Sequence, residues 1–247
     1  MAQIRVGIGG WEFAPWRETF YPKDVPIRKQ LEYASQQVTS IEINGTFYRT
    51  AKPEHFASWA EKTPDDFVFA LKATRYATNR KVLAEAGESI ERFINSGLSE
   101  LGDKLGPILW QLANTKQFDP DDLEAFFKLL PARLGKRKLQ HVLDARHDSF
   151  LNDDYLKLAR KYKIATVITD SPKFPHFDAI TGEFVYARLM DAHSDIPTGY
   201  TTPALKKWAR QAQEWQQQAK SGQVYVYFIN GAKERAPAAA QHLLGLL

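Results

Sequence analysis

Cysteine is absent from this chain of 247 residues, and with it go disulfides, thiolate nucleophiles and cysteine-held zinc or iron–sulfur centres. No apolar run approaches the roughly 20 residues of a membrane-crossing helix, and Ile4 to Ile8 begins almost at once, without a charged leader and apolar core. The expectation is a cytoplasmic protein in a reducing compartment, with no membrane partner. Several catalytic signatures are missing as well. There is no Gly-x-Gly-x-x-Gly between a strand and a helix, no phosphate-binding P-loop, no Gly-x-Ser-x-Gly elbow and no His-Glu-x-x-His zinc helix. Gly7-x-Gly9-Gly10 is too short to make a dinucleotide turn. Charge of one sign is scarce too: 33 Lys and Arg stand against 29 Asp and Glu, a net +4 spread along the chain, whereas nucleic-acid binding favours a concentrated basic stripe.

What is present is ordinary globular composition, 44% hydrophobic and 25% charged, laid out in a recurring pattern. The clearest stretch runs from Val38 to Tyr48. As a strand it sends Thr39, Ile41 and Ile43 one way and Ser40, Glu42 and Asn44 the other. Similar strand patterns occur at Ile4–Ile8, Asp66–Lys72, Pro107–Leu112, Leu139–His147, Ile164–Asp170, Phe184–Leu189 and Gln223–Ile229. Between them lie helical periods at Ile27–Gln37, from Pro53, at Ser89–Leu101, after Asp119-Pro120, after Asn152, after Thr202-Pro203 and at Pro237–Leu247. The connection Ser171–Glu183 carries Pro172, Pro175 and Gly182 and shows no helical period, so one crossover helix is reduced or missing. The aromatic loop Trp11–Pro22 must pack onto something or cover something: it is a lid or a plug.

Eight strands alternating with helices in about 250 residues predict a closed TIM-type (β/α)8 barrel, as a single α/β domain over residues 1–247, rather than an open doubly wound sheet. A barrel brings strand ends together. Glu42, Asn44, Lys72, Gln111, Asp144, Arg146, Asp170, Arg188 and Asn230 all fall in an inward row near C-terminal strand ends, the face on which barrel enzymes build their sites. Lys72, Arg146 and Arg188 suit a phosphate or carboxylate. Glu42, Asp144 and Asp170 are candidate general acids and bases, and Trp11, Tyr48, Gln111 and a rim residue, His147, are candidate lining. The alternative is a buried, mutually paired network that fixes register. Glu42, Asp144, Asp170 and His147 are of metal-ligand type, but three cations in the same mouth would compete for the carboxylates, so neither metal nor cofactor is expected.

Several motifs together carry a resemblance. Gly9-Gly-Trp11, Glu42-Ile-Asn-Gly-Thr-Phe-Tyr48, Gly102-Asp-Lys-Leu-Gly-Pro107 with Gln111-Leu112, Arg146-His147, Asp170-Ser-Pro172, Tyr186-x-Arg188-Leu189 and Val224-Tyr-Val-Tyr-Phe228 resemble the DUF72 family, also called YecE-like proteins. The resemblance implies a TIM-type barrel with a polar pocket at the C-terminal strand ends, and no established activity. Endonuclease IV and sugar isomerases are fold-level analogies, but they rely on His-rich metal clusters that this chain lacks. The family pattern would also place histidine at Asn79 and Met190, glutamate at Asp144, and aspartates at Ile229 and Gly231 beside Asn230. Three functions remain open. The first is binding of a small anionic or phosphorylated ligand, with hydrolase or lyase activity. The second is nucleic-acid binding, through Arg49, Arg75, Arg80 and Lys81 with loop aromatics as stacking surfaces. The third is a non-catalytic sensor or scaffold.

Overall fold

The structure is a computed structural model that describes residues 3–247. Its strands are β1 (Gln3–Gly9), β2 (Ser40–Ile43), β3 (Val68–Lys72), β4 (Leu105–Gln111), β5 (His141–Asp144), β6 (Ala165–Thr169), β7 (Val185–Leu189) and β8 (Gln223–Phe228). Each pairs in parallel with its sequence neighbours, and β8 returns to β1, closing the barrel. The longer helices are α1 (Gln30–Gln37), α2 (Pro53–Glu61), α3 (Gly87–Ile94), α4 (Pro120–Leu129), α5 (Asp153–Tyr162), α6 (Thr202–Gln218) and α7 (Ala236–Leu244), with single helical turns at Trp16–Thr19, Gly45–Tyr48 and Arg75–Thr78. No helix joins β6 to β7. There the chain seals the barrel wall with Phe177, which packs on Tyr155, and with Thr181, whose Oγ1 donates to Ile164 O and accepts from Thr166 N–H.

Inside the barrel, side chains change character along the strands. Val68, Ala165, Phe184 and Tyr225 lie near the strand starts, and Ala70, Leu109, Val142, Val167, Tyr186 and Tyr227 follow. The last inward positions are Glu42, Lys72, Gln111, Asp144, Thr169 and Arg188, so the polar groups share one end of the cylinder. Apolar side chains of the opposite parity, such as Ile41, Phe69, Trp110 and Leu143, join the helices in the outer core. Alternation of side chains with period two produces both layers.

Some boundaries differ from expectation. The helix predicted over Ser89–Leu101 stops at Ile94, because Gly97 turns at φ +116 and packs on Pro53, and short 3-10 turns continue from Leu98 to Lys104. The cap of α6 is Thr201, one residue earlier than read, with its Oγ1 accepting from Ala204 N–H. A small hairpin of Arg133–Leu134 and Arg137–Lys138 had no strand pattern to announce it. The aromatic loop behaves as packing: Trp16 is fully buried, stacks edge-on with Phe13 and Phe20, and donates Nε1–H to Lys233 O.

Gly7 shows how tightly the interior is filled. A Cβ there would lie 2.1 Å from Ser40 O and 3.0 Å from the Tyr227 ring, and Ser40 Oγ is held by Val68 O at 2.6 Å and Tyr227 Oη at 2.7 Å. Backbone cannot yield as a side chain does. Gly7→Ala is therefore expected to cost at least about 2 kcal/mol of stability, measurable by urea unfolding; a loss below about 0.5 kcal/mol would mean that the β1–β2 approach is looser than described.

Candidate functional site

Arg188, the last inward residue of β7, is 1% exposed and lies among acceptors supplied by three other strands. From β2, Glu42 takes a fork: Arg188 Nη2 donates to Oε1 at 2.9 Å and Nε to Oε2 at 3.1 Å. From β5, Asp144 Oδ2 accepts from Nη1 at 2.7 Å, and from β4, Gln111 Oε1 accepts from the same nitrogen at 3.2 Å. Tyr186, two residues earlier on β7 and so on the same face, donates its hydroxyl to Glu42 Oε2 at 2.7 Å. Both oxygens of Glu42 are thus engaged, and its side chain is wholly buried. Paired in this way, the buried charges offset one another's desolvation.

Two further cations complete the cluster. Arg146 continues the inward parity of β5 and donates Nε–H to Asp144 Oδ2 at 3.0 Å, while its guanidinium lies 4.2 Å from the centre of the Phe174 ring. Arg146 Nη2 is 2.9 Å from that same carboxylate oxygen, yet it is buried without a hydrogen-bond partner. Lys72 ends β3 and is 7% exposed, with Nζ 4.1 Å from the centre of the Phe47 ring. Among the described residues it forms no ion pair and its ammonium makes no hydrogen bond, unlike Arg146 and Arg188.

The electrostatics follow from this placement. Burial pushes Lys72 down, the Arg188 charge adds to that, and Glu42 only partly opposes it, so its pKa falls from 10.5 to about 8. Burial works against ionisation of Asp144, but Arg146 and Arg188 outweigh it and hold the carboxyl below the usual range. Burial lowers the Arg188 pKa, but Glu42 and Asp144 together raise it by more, so the guanidinium stays charged. Two carboxylates cancel two guanidiniums, which leaves the Lys72 ammonium uncompensated.

Other expected site residues stand apart from this cluster. Alternation on β6 gives the inward place to Thr169, so Asp170 points the other way, correcting the inward placement. Its Oδ1 accepts from the N–H of Met190 and of Asp191, and its Oδ2 accepts from the Tyr200 hydroxyl at 2.8 Å, which fastens the loop after β7. Burial raises the Asp170 pKa in spite of those donors. Asn230 is likewise out of row: Ile229 holds the inward position, and Asn230 is exposed with φ 65. His147 caps a 3-10 turn, accepting at Nδ1 from Ser149 N–H. Tyr48 is 59% exposed on the rim. Asn44 donates to Glu42 O at 3.2 Å. Trp11 packs on Trp59 and Phe69 and, with Asn44, His55 and Lys233, lines a neighbouring cavity of about 630 Å³.

Sequence reasoning missed three members of the cluster. Tyr186 was readable, since it shares the row of Arg188. Phe47 lies in a short helix, Gly45–Tyr48, that the strand pattern hid, and Phe174 sits in the aperiodic β6–β7 connection. Among the described residues, no three His, Asp or Glu side chains come together as a metal ion requires, and no helix is long and apolar enough to cross a membrane.

The model of a family described as "Protein of unknown function DUF72" matches residues 5–247. The chain belongs to the DUF72 family. The UPF0759 protein YecE of Escherichia coli K12 is 27% identical over 147 residues, which are 60% of this chain and 50% of YecE. This DUF72 chain thus matches about half the length of that relative. A DUF72 family protein from Thermotoga maritima superposes with a TM-score of 0.78 at 23% identity, over 98% of this chain and 96% of the other. A DUF72 family protein from Enterococcus faecalis gives 0.77 at 17%, over 99% and 95%. At these identities the likeness establishes a shared barrel.

Within this DUF72 barrel, Arg188 and Lys72 make opposite demands on stability. Arg188→Met strands Glu42, whose carboxylate pairs with no other cation among the described residues, and should cost about 3–5 kcal/mol in urea unfolding at pH 7, much of it recovered by adding Glu42→Gln; a loss under 1 kcal/mol would contradict the pairing described. Lys72 behaves in reverse. Its ammonium is disfavoured when folded, so between about pH 8 and 10.5 the native state binds fewer protons than the unfolded chain, and stability from this group rises with pH across that window. Lys72→Met should therefore stabilise the protein at pH 7, by up to about 3 kcal/mol, and the gap should close above pH 10.5. A destabilised Lys72→Met at pH 7 would show that Glu42 and Asp144 compensate the ammonium after all.

Proposed function

We propose that the barrel mouth binds a small anionic ligand, a carboxylate or phosphate compound, through Arg146 and Lys72. The observation that carries this reading is the surplus cation of the mouth: Lys72 forms no ion pair while Glu42 and Asp144 are taken by Arg188 and Arg146, and Arg146 Nη2, 2.9 Å from Asp144 Oδ2, makes no aligned hydrogen bond. A ligand oxygen would give the surplus ammonium a counter-charge and Arg146 Nη2 an aligned acceptor. Arg188 has a different part here from the one its residue type suggested. Engaged by Glu42, Asp144 and Gln111, it fixes the carboxylates so that Arg146 is held from one side. With both carboxylates occupied by guanidinium, the group most able to exchange a proton near neutral pH is Lys72, which favours lyase chemistry over a hydrolase mechanism that needs a free carboxylate pair.

A second reading has its own support. Tyr48 and Tyr76 are 59% and 60% exposed, and the Arg75 guanidinium lies 5.9 Å and 5.6 Å from their ring centres. Exposed rings joined by a cation make a stacking surface for single-stranded nucleic acid, with Arg49, Arg80 and Lys81 nearby in sequence. That surface lies on the rim, and the anion site lies in the mouth, so their variants are separable.

Thermal unfolding with low-millimolar phosphate, pyruvate and phosphoglycolate tests the first reading. One of them should stabilise saturably, by about 2.7 kcal/mol at a hundredfold excess over Kd. Arg146→Ala should abolish the shift and Arg75→Ala should leave it. No saturable shift with any of the three, or an equal shift in Arg146→Ala, would remove the anion role. Oligonucleotide binding that falls steeply with salt and is lost in Arg75→Ala would instead establish the stacking surface.

A further inference from the structure

We infer that Lys72 is a covalent amine: it forms an imine with a ligand that carries a carbonyl at one end and an anion at the other. This deepens the anion-binding reading and rests on it, since Arg146 would hold the anionic end.

The geometry is that of a nucleophile more than of a counter-ion. A lysine kept to neutralise charge sits within reach of a carboxylate, yet Glu42 and Asp144 are turned to Arg188 and Arg146, and the Lys72 Nζ rests on the Phe47 ring. The floor beneath is apolar and aromatic, with Ala70 preceding Lys72 in its own row and Tyr186 packed on Tyr227 at 5.1 Å. Lys72 is 7% exposed, so the amine is largely desolvated, which favours its neutral, nucleophilic form. Facing it are the charges of Glu42, Asp144, Arg146 and Arg188, and their sum with burial leaves about a tenth of Lys72 as free base at pH 7, against far less for an ordinary lysine.

The step balances without a further reactant. The nitrogen lone pair bonds to the carbonyl carbon while the C=O π pair moves to oxygen. A proton passes from nitrogen to that oxygen, giving a carbinolamine. The hydroxyl takes one proton from solvent and leaves as water, and the nitrogen lone pair closes the C=N bond. The protonated imine keeps the single positive charge that the ammonium carried, so the charge balance with Glu42, Asp144, Arg146 and Arg188 is the same before and after.

Reductive trapping tests this. The whole protein is incubated at pH 7.5 with cyanoborohydride and with pyruvate, glyoxylate or glyceraldehyde 3-phosphate, with acetaldehyde as the uncharged control, and the adducts are located by peptide mass spectrometry. Hydride addition to an imine leaves a stable secondary amine. The expected result is an adduct on Lys72 at least tenfold faster than on any other lysine, absent in Lys72→Arg and slowed in Arg146→Ala for the anionic carbonyls only. Labelling spread over surface lysines, with Lys72 no faster than the rest, would overturn the inference. Saturable, Arg146-dependent stabilisation by phosphate alongside that outcome would sink the imine and leave the anion site standing. Equal trapping of acetaldehyde and pyruvate on Lys72, with no phosphate effect, would do the opposite.

Discussion

The guanidinium of Arg188 ties the ends of β7, β2, β5 and β4 across the barrel mouth, through Glu42, Asp144 and Gln111. Burying four such groups singly would cost several kcal/mol each, so the cluster exists only as a unit. Its partners are fixed by register. Glu42 lies beside Gly9 and Ala70, Gln111 beside Asp144, and Arg188 beside Thr169 and Tyr227. A slip of one residue in any of these strands would turn a charged member outward and leave the others buried without it. The network therefore selects one alignment of the barrel as well as one arrangement of the mouth.

The same pairing decides which groups are left unpaired. Below the charges lies a tyrosine layer, with Tyr186 packed at a tilt against Tyr227 at 5.1 Å and Tyr225 beyond at 6.2 Å. Hydroxyls of that layer turn inward to Glu42 and Ser40, so the layer is closed to water while its polar tips are satisfied. An ammonium set above such a floor loses solvation and gains little in return when the nearest carboxylates already face guanidiniums. The low basicity of Lys72 and the fixed ionisation of Asp144 are thus two results of one arrangement. Neither is a property of the residue alone.

The barrel was legible in the sequence because strands that feed a packed cylinder must alternate, and each strand pattern read from the chain coincides with a strand of the structure to within a few residues. Five charged or amide groups of the cluster, Glu42, Gln111, Asp144, Arg146 and Arg188, were legible for the same reason, and so was Lys72. Parity failed where a strand ends. Asp170 and Asn230 lie one residue past Thr169 and Ile229, and counting them inward required the row to shift by one. Partners outside the strands were hidden more deeply. Phe47 and Phe174, which cover Lys72 and Arg146, come from segments whose direction no periodicity sets. Which charges pair, and which are left over, is a matter of distances that no residue list contains.

The departures from the family pattern belong together in the structure. Where the resemblance implied histidine, Met190 is buried and its N–H is held by Asp170. Where it implied aspartates, Ile229 fills the inward row and Gly231 turns at φ +57. A Cβ at Gly231 would lie 2.7 Å from Met190 O and from Ala192 N, so an aspartate there would require the β7–β8 loops to separate. Replacing one of these residues by the family type would therefore meet a backbone shaped by the others. The outcome is a mouth with two sides. Guanidinium, ammonium and carboxylate occupy the ends of β2, β3, β5 and β7, while the buried, apolar Met190 and Ile229 stand just past the ends of β7 and β8. An entirely ionic ligand would leave that second side unmatched, and an entirely apolar one would leave the Lys72 ammonium without a counter-charge. The ligand proposed above would therefore need charge at one end and carbon at the other.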